Sequence, residues 1–163
     1  MEQGVDRAKY SVVPRNLIFV FHGGNVLLLQ GAMDKRLWAG LYNGVGGHLE
    51  PGEDEQSAAV RELHEETGIS GASLHLAGVI HVNTGEDIGV LITVYRADVR
   101  DAQVVSSREG DLHWIPVEKI QDYPLVSDLY QLIPRVAVWK PGDVVFSGLS
   151  QKVGDRWVIQ FSD

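Results

Sequence analysis

The sequence predicts a single mixed α/β domain. Three observations carry this. Apolar runs rich in β-formers recur near both ends and in the middle of the chain. Two stretches with helical spacing lie between them. No linker, repeat or shift in composition divides the 163 residues. A chain of this length buries a sizeable core, and a hydrophobic fraction of 44% is ordinary for a globular protein.

Taken in order, residues 1–11 are polar and read as a loose lead-in, not a signal peptide. Residues 12–21 are apolar and β-rich. With His22-Gly23-Gly24-Asn25 and residues 26–30 they make a hairpin signature. Residues 33–37 are polar enough for a loop, and the glycines of 38–45 allow close backbone approach. Pro51-Gly52 marks a turn, and acid at 53–55 suits a helix start. Ala59 and Leu63 repeat at i, i+4, and Gly68 suits a C-terminal cap, which predicts a helix over 54–67. Residues 74–82 and 88–97 read as strands joined by Asn83-Thr84-Gly85-Glu86. Residues 111–115 are a short strand, after which Pro116 opens a helical turn. Asp128 then suits the cap of a second helix reaching about Ala137. Residues 144–146 and 157–161 bracket 148–155, so that 143–161 reads as a terminal hairpin. The pattern alone does not choose a topology.

Composition narrows the function. The formal net charge of −8 argues against a broad basic surface for nucleic acid polymers, but not against a nucleotide. The chain has no cysteine, which excludes disulfides, thiolate zinc sites and thiol nucleophiles. Without an apolar run of membrane-spanning length, no membrane partner is expected, and a cytoplasmic location is the default.

The chemistry concentrates on the first helix. At about 100° per residue, Glu62 and Glu66 lie about 40° apart on its surface, and Glu65 about 60° from Glu62. A solvated acidic face is the plain alternative. Clustered hard oxygens on a rigid element instead suit Mg²⁺ or Mn²⁺, with substrate phosphates completing the shell. Arg61 is spaced to meet Glu65 and to reach back to Glu53.

Residues 47–69 resemble the Nudix box, Gly-x5-Glu-x7-Arg-Glu-U-x-Glu-Glu-x-Gly-U with U apolar. Gly47, Glu53, Arg61, Glu62, Leu63, Glu65, Glu66, Gly68 and Ile69 fill every specified position. A chance match is on the order of one in ten million. The resemblance covers about residues 12–137. It implies an α/β/α sandwich on a mixed sheet, and a hydrolase that cuts a nucleoside diphosphate linked to another group. It implies Mg²⁺ or Mn²⁺ held by Glu62, Glu65 and Glu66, with the Gly47 carbonyl as a further ligand, and Glu53 and Arg61 within the catalytic machinery. The base that activates water is a box glutamate or an acid from a later loop. Glu109 stands five residues before Trp114, a spacing that resembles the family's mammalian oxidised-purine-nucleotide hydrolase. It is therefore a candidate base and metal ligand, or else a solvated loop acid, with Asp111 the fallback.

The segment Tyr42-Asn43-Gly44-Val45-Gly46-Gly47-His48 resembles the Trp-Asn-Gly-x-Gly-Gly-Lys of the oxidised-purine-nucleotide hydrolases. That places Asn43, Gly46, Gly47 and His48 at substrate. Asn43 reads a purine edge or serves a turn beside Gly44. Asp128 follows Pro124 in a region that binds the modified purine in that group. It lacks the group's adjacent acid partner, and either binds the base or caps the helix. Tyr42 for tryptophan keeps a smaller aromatic surface, and His48 for lysine loses a permanent cation. Trp38, Trp114, Trp139 and Trp157 are each base-stacking candidates or core, while His22, His64, His75, His81 and His113 form no zinc pattern.

The expected function is hydrolysis of a nucleoside triphosphate, such as an oxidised purine nucleotide like 8-oxo-dGTP, to monophosphate and pyrophosphate, by a monomer or homodimer. Dinucleoside polyphosphates, ADP-ribose or nucleotide sugars are alternative substrates, and a non-catalytic nucleotide sensor is the alternative class.

Overall fold

The computed structural model describes residues 4–162. The elements run β1 (Ser11–His22), β2 (Asn25–Gly31), β3 (Tyr42–Asn43), α1 (Glu55–Thr67), β4 (His75–Asn83), β5 (Ile88–Asp98), β6 (Gly110–Pro116), a 3₁₀ helix (Val117–Asp122), α2 (Leu129–Val138), β7 (Phe146–Val153) and β8 (Arg156–Ser162). They build one mixed 8-stranded sheet in the order β3-β2-β1-β5-β4-β7-β8, with β6 paired to β2. β1 runs parallel to β5, and β4 parallel to β7; the other pairs are antiparallel. This is the expected α/β/α sandwich on a mixed sheet.

The two layers follow from alternation along β1. Ile18 and Val20 pack with Leu27, Val45, Ala59 and Leu63 under α1. Phe19 and Phe21 face the other way, into a larger core with Ile80, Val94, Leu132, Ile133 and Val136 under α2. Both faces of β1 are buried, which is why its sequence reads as an unbroken apolar run.

The lead-in is only partly loose. Residues 1–3 lie outside those described, Val5 is exposed, and the Tyr10 hydroxyl meets His81 Nε2 at 2.7 Å before Ser11 enters β1. The terminal hairpin is tighter than its sequence suggests. Residues 148–153 belong to β7, and only Gly154-Asp155 turns. Gly148 looks like a loop residue, yet a Cβ there would stand 2.8 Å from Ile159 and 3.0 Å from Ile80; close packing explains it. Asp128 occupies the cap position of α2, but its side chain makes no capping bond and its backbone is helical, which corrects the expected cap.

The far end of α2 is fixed by Arg96. Its Nη1 donates to the carbonyls of Val136, Ala137 and Trp139 at 2.9, 2.8 and 2.6 Å, while Asp98 accepts from Nε and Nη2 at 2.8 Å each. These bonds satisfy carbonyls that a helix end otherwise leaves without partners. Arg96→Met should therefore lower stability by roughly 1.5–3 kcal/mol, read as a fall of several degrees in Tm. An unchanged Tm would show that α2 is held by its apolar face alone.

Candidate active site

The site begins where residues 42–49 run beside β1. Asn16 N donates to Gly47 O at 2.9 Å, Ile18 N to Val45 O at 2.6 Å, and Leu49 N to Pro14 O at 3.4 Å. This segment takes the place beside β1 that β2 leaves after its first two residues. It passes so close to β1 that a Cβ on Gly46, whose φ is +146°, would collide with the Asn16 carbonyl. A Cβ on Gly47 would collide with the Glu62 carboxylate. Asn16, only 3% exposed, pins the turn from below, its Oδ1 accepting from Gly47 N at 3.2 Å. Its Nδ2 has no partner among the described residues.

α1 lies over this loop and starts as expected. Asp54 Oδ1 accepts from Ser57 N at 2.9 Å, which holds the Asp54 carboxyl below its ordinary range. Gly68 ends the helix in the left-handed conformation, its N–H donating to His64 O. Arg61 is the hub of the acidic face. Its Nε and Nη2 reach Glu53 at 2.6 and 2.8 Å, Nη1 reaches Glu62 at 3.0 Å and Glu65 at 3.3 Å, and Nη2 also reaches the His48 carbonyl at 3.2 Å. The fork of Arg61 holds the Glu53 carboxyl down at about 2, and Glu53 in turn raises the basicity of Arg61. Loop and helix are thereby locked together, as their spacing predicts.

The three glutamates do not share one environment. Glu65 is 57% exposed at its side chain and Glu62 15%, whereas Glu66 is only 8% exposed. Glu66 turns inward, its Oε2 accepting from Gly46 N at 3.0 Å. Burial pushes its carboxyl up to about 7, against the pull of the Gly46 amide and helped by the negative charge of Glu62. Glu62, Glu65 and Glu66 line one cleft with Ser107, Arg108 and Glu109. Glu109 therefore stands across from the acidic helix, ion-paired to Lys35. Asp111, the fallback base, lines a separate cleft with Gln30 and Met33. Among the described residues, no three acidic or imidazole groups are drawn together into a finished ligand set. The donors that share the cleft are nonetheless hard oxygens, the chemistry a small divalent cation takes.

A cavity of about 220 Å³ adjoins the glycine loop. Asn43, Asp128, Trp38, Trp157, Arg15 and Ile92 are among its walls. Asn43 serves its turn, accepting from Gly44 N at 2.8 Å, and also faces this cavity. Residues 124–126 are carried there by pairing with Tyr42, whose N donates to Pro124 O at 2.9 Å and whose O accepts from Val126 N at 3.0 Å. Burial pushes the Asp128 carboxyl up, toward its neutral form. Tyr42 is core instead of cavity wall, edge-on to His113 and Tyr123. Trp114 and Trp139 also lie outside this cavity, donating to Ala102 O and Val144 O. Burial and nearby Arg15 both lower the His48 pKa, so His48 does not replace a lysine cation near neutrality.

Arg15, Asn16 and Lys35 escape a reading of the sequence by motif. The available signal is a charged and an amide residue, Arg15-Asn16, interrupting an otherwise apolar strand.

An α/β/α sandwich that sets an Arg-clamped acidic helix over a glycine loop, beside an aromatic cavity, has the architecture of the MutT-like Nudix hydrolase class. Residues 13–136 match the NUDIX domain, and the chain belongs to that family. It is 35% identical over 105 residues to the oxidized purine nucleoside triphosphate hydrolase of Danio rerio, a stretch covering 64% of this chain and 66%, just under two thirds, of that protein. It is 32% identical over 136 residues to the Mus musculus protein of the same name, covering 83% and 78%. A MutT mutator protein from Bacillus halodurans shares the fold with a TM-score of 0.76 at 21% identity, covering 92% of this chain and 97% of that one. No helix among the described residues is long and apolar enough to cross a membrane.

The two adjacent glycines should respond differently to a methyl group. Gly46→Ala meets backbone at a strained φ and should cost roughly 1–3 kcal/mol, seen by calorimetry. Gly47→Ala meets a side chain that can swing away, so its Tm should move less while Glu62 is displaced. Equal losses would contradict the packing described. For Glu53 the folded value, about 2, lies below the ordinary 4.5, so its contribution is present above about 4.5 and fades as pH falls toward 2. The Tm gap between wild type and Glu53→Gln should hold above about pH 6 and close in acid. A gap independent of pH would show that the Arg61 pairing is not its source.

Proposed function

We propose that the protein is a divalent-metal-dependent pyrophosphohydrolase of nucleoside triphosphates, acting on a purine nucleotide of the oxidised class, with monophosphate and pyrophosphate as products. The observation that carries this reading is the continuity of one segment. Asn43 lines the cavity, while Gly46 and Gly47 lie directly beneath Glu66 and Glu62. A base and the phosphates attached to it would span these neighbouring places.

Glu62, Glu65 and Glu66 would hold the metal, with Glu109 and the free lone pair of the Gly47 carbonyl as further donors. When bound, divalent ions offset the charge of the polyphosphate and activate water. Arg61 fixes Glu62 and Glu65, both of which line the cleft. In the reaction, water attacks a phosphorus, the bridging P–O bond breaks, and the water's proton passes to a carboxylate, for which Glu109 at the rim is well placed. In the cavity, the buried Asp128 carboxyl, pushed up by burial, offers a hydrogen-bonding group to the base. The Asn43 amide nitrogen, without a partner among the described residues, offers another. The names of the Danio rerio and Mus musculus relatives support an oxidised purine as the base.

A panel of normal and oxidised nucleoside triphosphates, dinucleoside polyphosphates, ADP-ribose and nucleotide sugars, incubated with Mg²⁺, should yield monophosphate plus pyrophosphate from a triphosphate. EDTA should abolish turnover. Glu65→Gln and Glu66→Gln should each lower kcat by on the order of 10²–10⁴-fold with circular dichroism unchanged. Orthophosphate as the only inorganic product, or near-normal activity in both variants, would overturn the assignment.

A further inference from the structure

Arg15 is the only cation among the described residues lining the cavity. Its guanidinium lies 5.4 Å from the centre of the Trp38 ring. Among the described residues its side chain makes no hydrogen bond and no ion pair; the carboxylates nearest in effect, Glu62 and Glu66, act on it only through space. Two other half-buried arginines behave differently. Arg61 and Arg96 are each engaged by carboxylates and carbonyls on nearly every nitrogen. A half-buried guanidinium without an acceptor gives up hydration and gains little in return, so five donors are left available for a ligand.

Position says which ligand. Arg15 pairs with Ile92 on one side, and with His48, the residue after Gly47, on the other. It therefore stands between the aromatic cavity and the acidic cleft. The cavity's other polar residues, Asn16, Asn43, Thr84 and Asp128, include no second cation and suit a heterocycle. The acidic cleft suits phosphates that arrive with cations. What a nucleotide places between its base and its outer phosphates is the phosphate on the 5′ carbon. A planar fork over an aromatic face is well suited to grip it.

We propose that Arg15, its guanidinium plane steadied by Trp38, binds the phosphate nearest the ribose and so makes the site select nucleotides over nucleosides. Asp128, on the same cavity wall, forms no ion pair with it among the described residues. This role rests on the cavity holding the nucleoside, as set out above, but not on which bond is cut.

The test measures binding of purine nucleoside 5′-monophosphates and the matching nucleosides by equilibrium dialysis in Mg²⁺. Wild type should prefer the monophosphate by roughly 10- to 100-fold. Arg15→Gln should bring the two affinities within about threefold, while Arg15→Lys retains part of the preference. A glutamine variant that keeps the full preference overturns the proposal, as does a wild type that binds neither compound. A second measurement needs no folded glutamine variant. In ¹⁵N-labelled wild type, the Arg15 Nε–H signal, assigned by its loss in Arg15→Lys, should shift with monophosphate and not with nucleoside. An unmoved signal overturns the role. Monophosphate binding through Arg15 together with release of orthophosphate alone from triphosphates would sink the hydrolytic reading and leave this one standing.

Discussion

The structure turns on a backbone contact that two glycines permit. Strand β1, the loop at Gly46-Gly47 and helix α1 are stacked so closely that neither glycine has room for a side chain. Every feature of the site is referred to that stack. Asn16 holds the loop from the strand side, and the Gly46 amide holds Glu66 from the helix side. Asn43, three residues earlier, is carried into the cavity by the same run of chain. One backbone path thus sets the separation between the cavity and the acidic cleft.

Charge is handled on top of that path. Four glutamates gathered near one helix would repel one another, and two devices reduce the strain. Arg61 spreads its donors over Glu53, Glu62 and Glu65, so the loop acid and the helix acids share one counter-charge. Glu66 is withdrawn from water, and its burial favours the protonated form near neutrality. The result is an acidic ridge whose charge is partly offset within the chain and whose carboxylates still line the cleft. On the opposite rim, Lys35 plays the same part for Glu109.

The sequence makes some of this legible and hides the rest, for physical reasons. The first helix, the acid at its start, its stop at Gly68 and the Arg61 pairings with Glu53 and Glu65 are local, set by spacings of eight residues or fewer. The strands of the two central hairpins are likewise visible in alternation and turn chemistry. The burial of Glu66 is not, because it depends on a loop twenty residues away in the chain. Asp128 misleads for a similar reason. A residue just before a helix invites a capping role, but the pairing of residues 124–126 with Tyr42 brings it to the cavity instead. Arg15 carries no motif, and only the folded sheet shows that its charge is left unpaired. Tyr42 aligns with an aromatic position of a ligand surface, yet the core claims it.

The two halves of the site differ in how the chain supplies them. The acidic helix and its glycine loop come from one short uninterrupted stretch. The cavity walls come from residues 15–17, 38, 43, 82–92, 126–129 and 157, nearly the whole length of the molecule. Inheritance can therefore act on the two separately. A substitution at Val82, Val126 or Trp157 changes the cavity's shape at a place far along the chain from the helix that Arg61 clamps. The lining is thus open to piecemeal revision, one locus at a time, while the acidic ridge is inherited as a block.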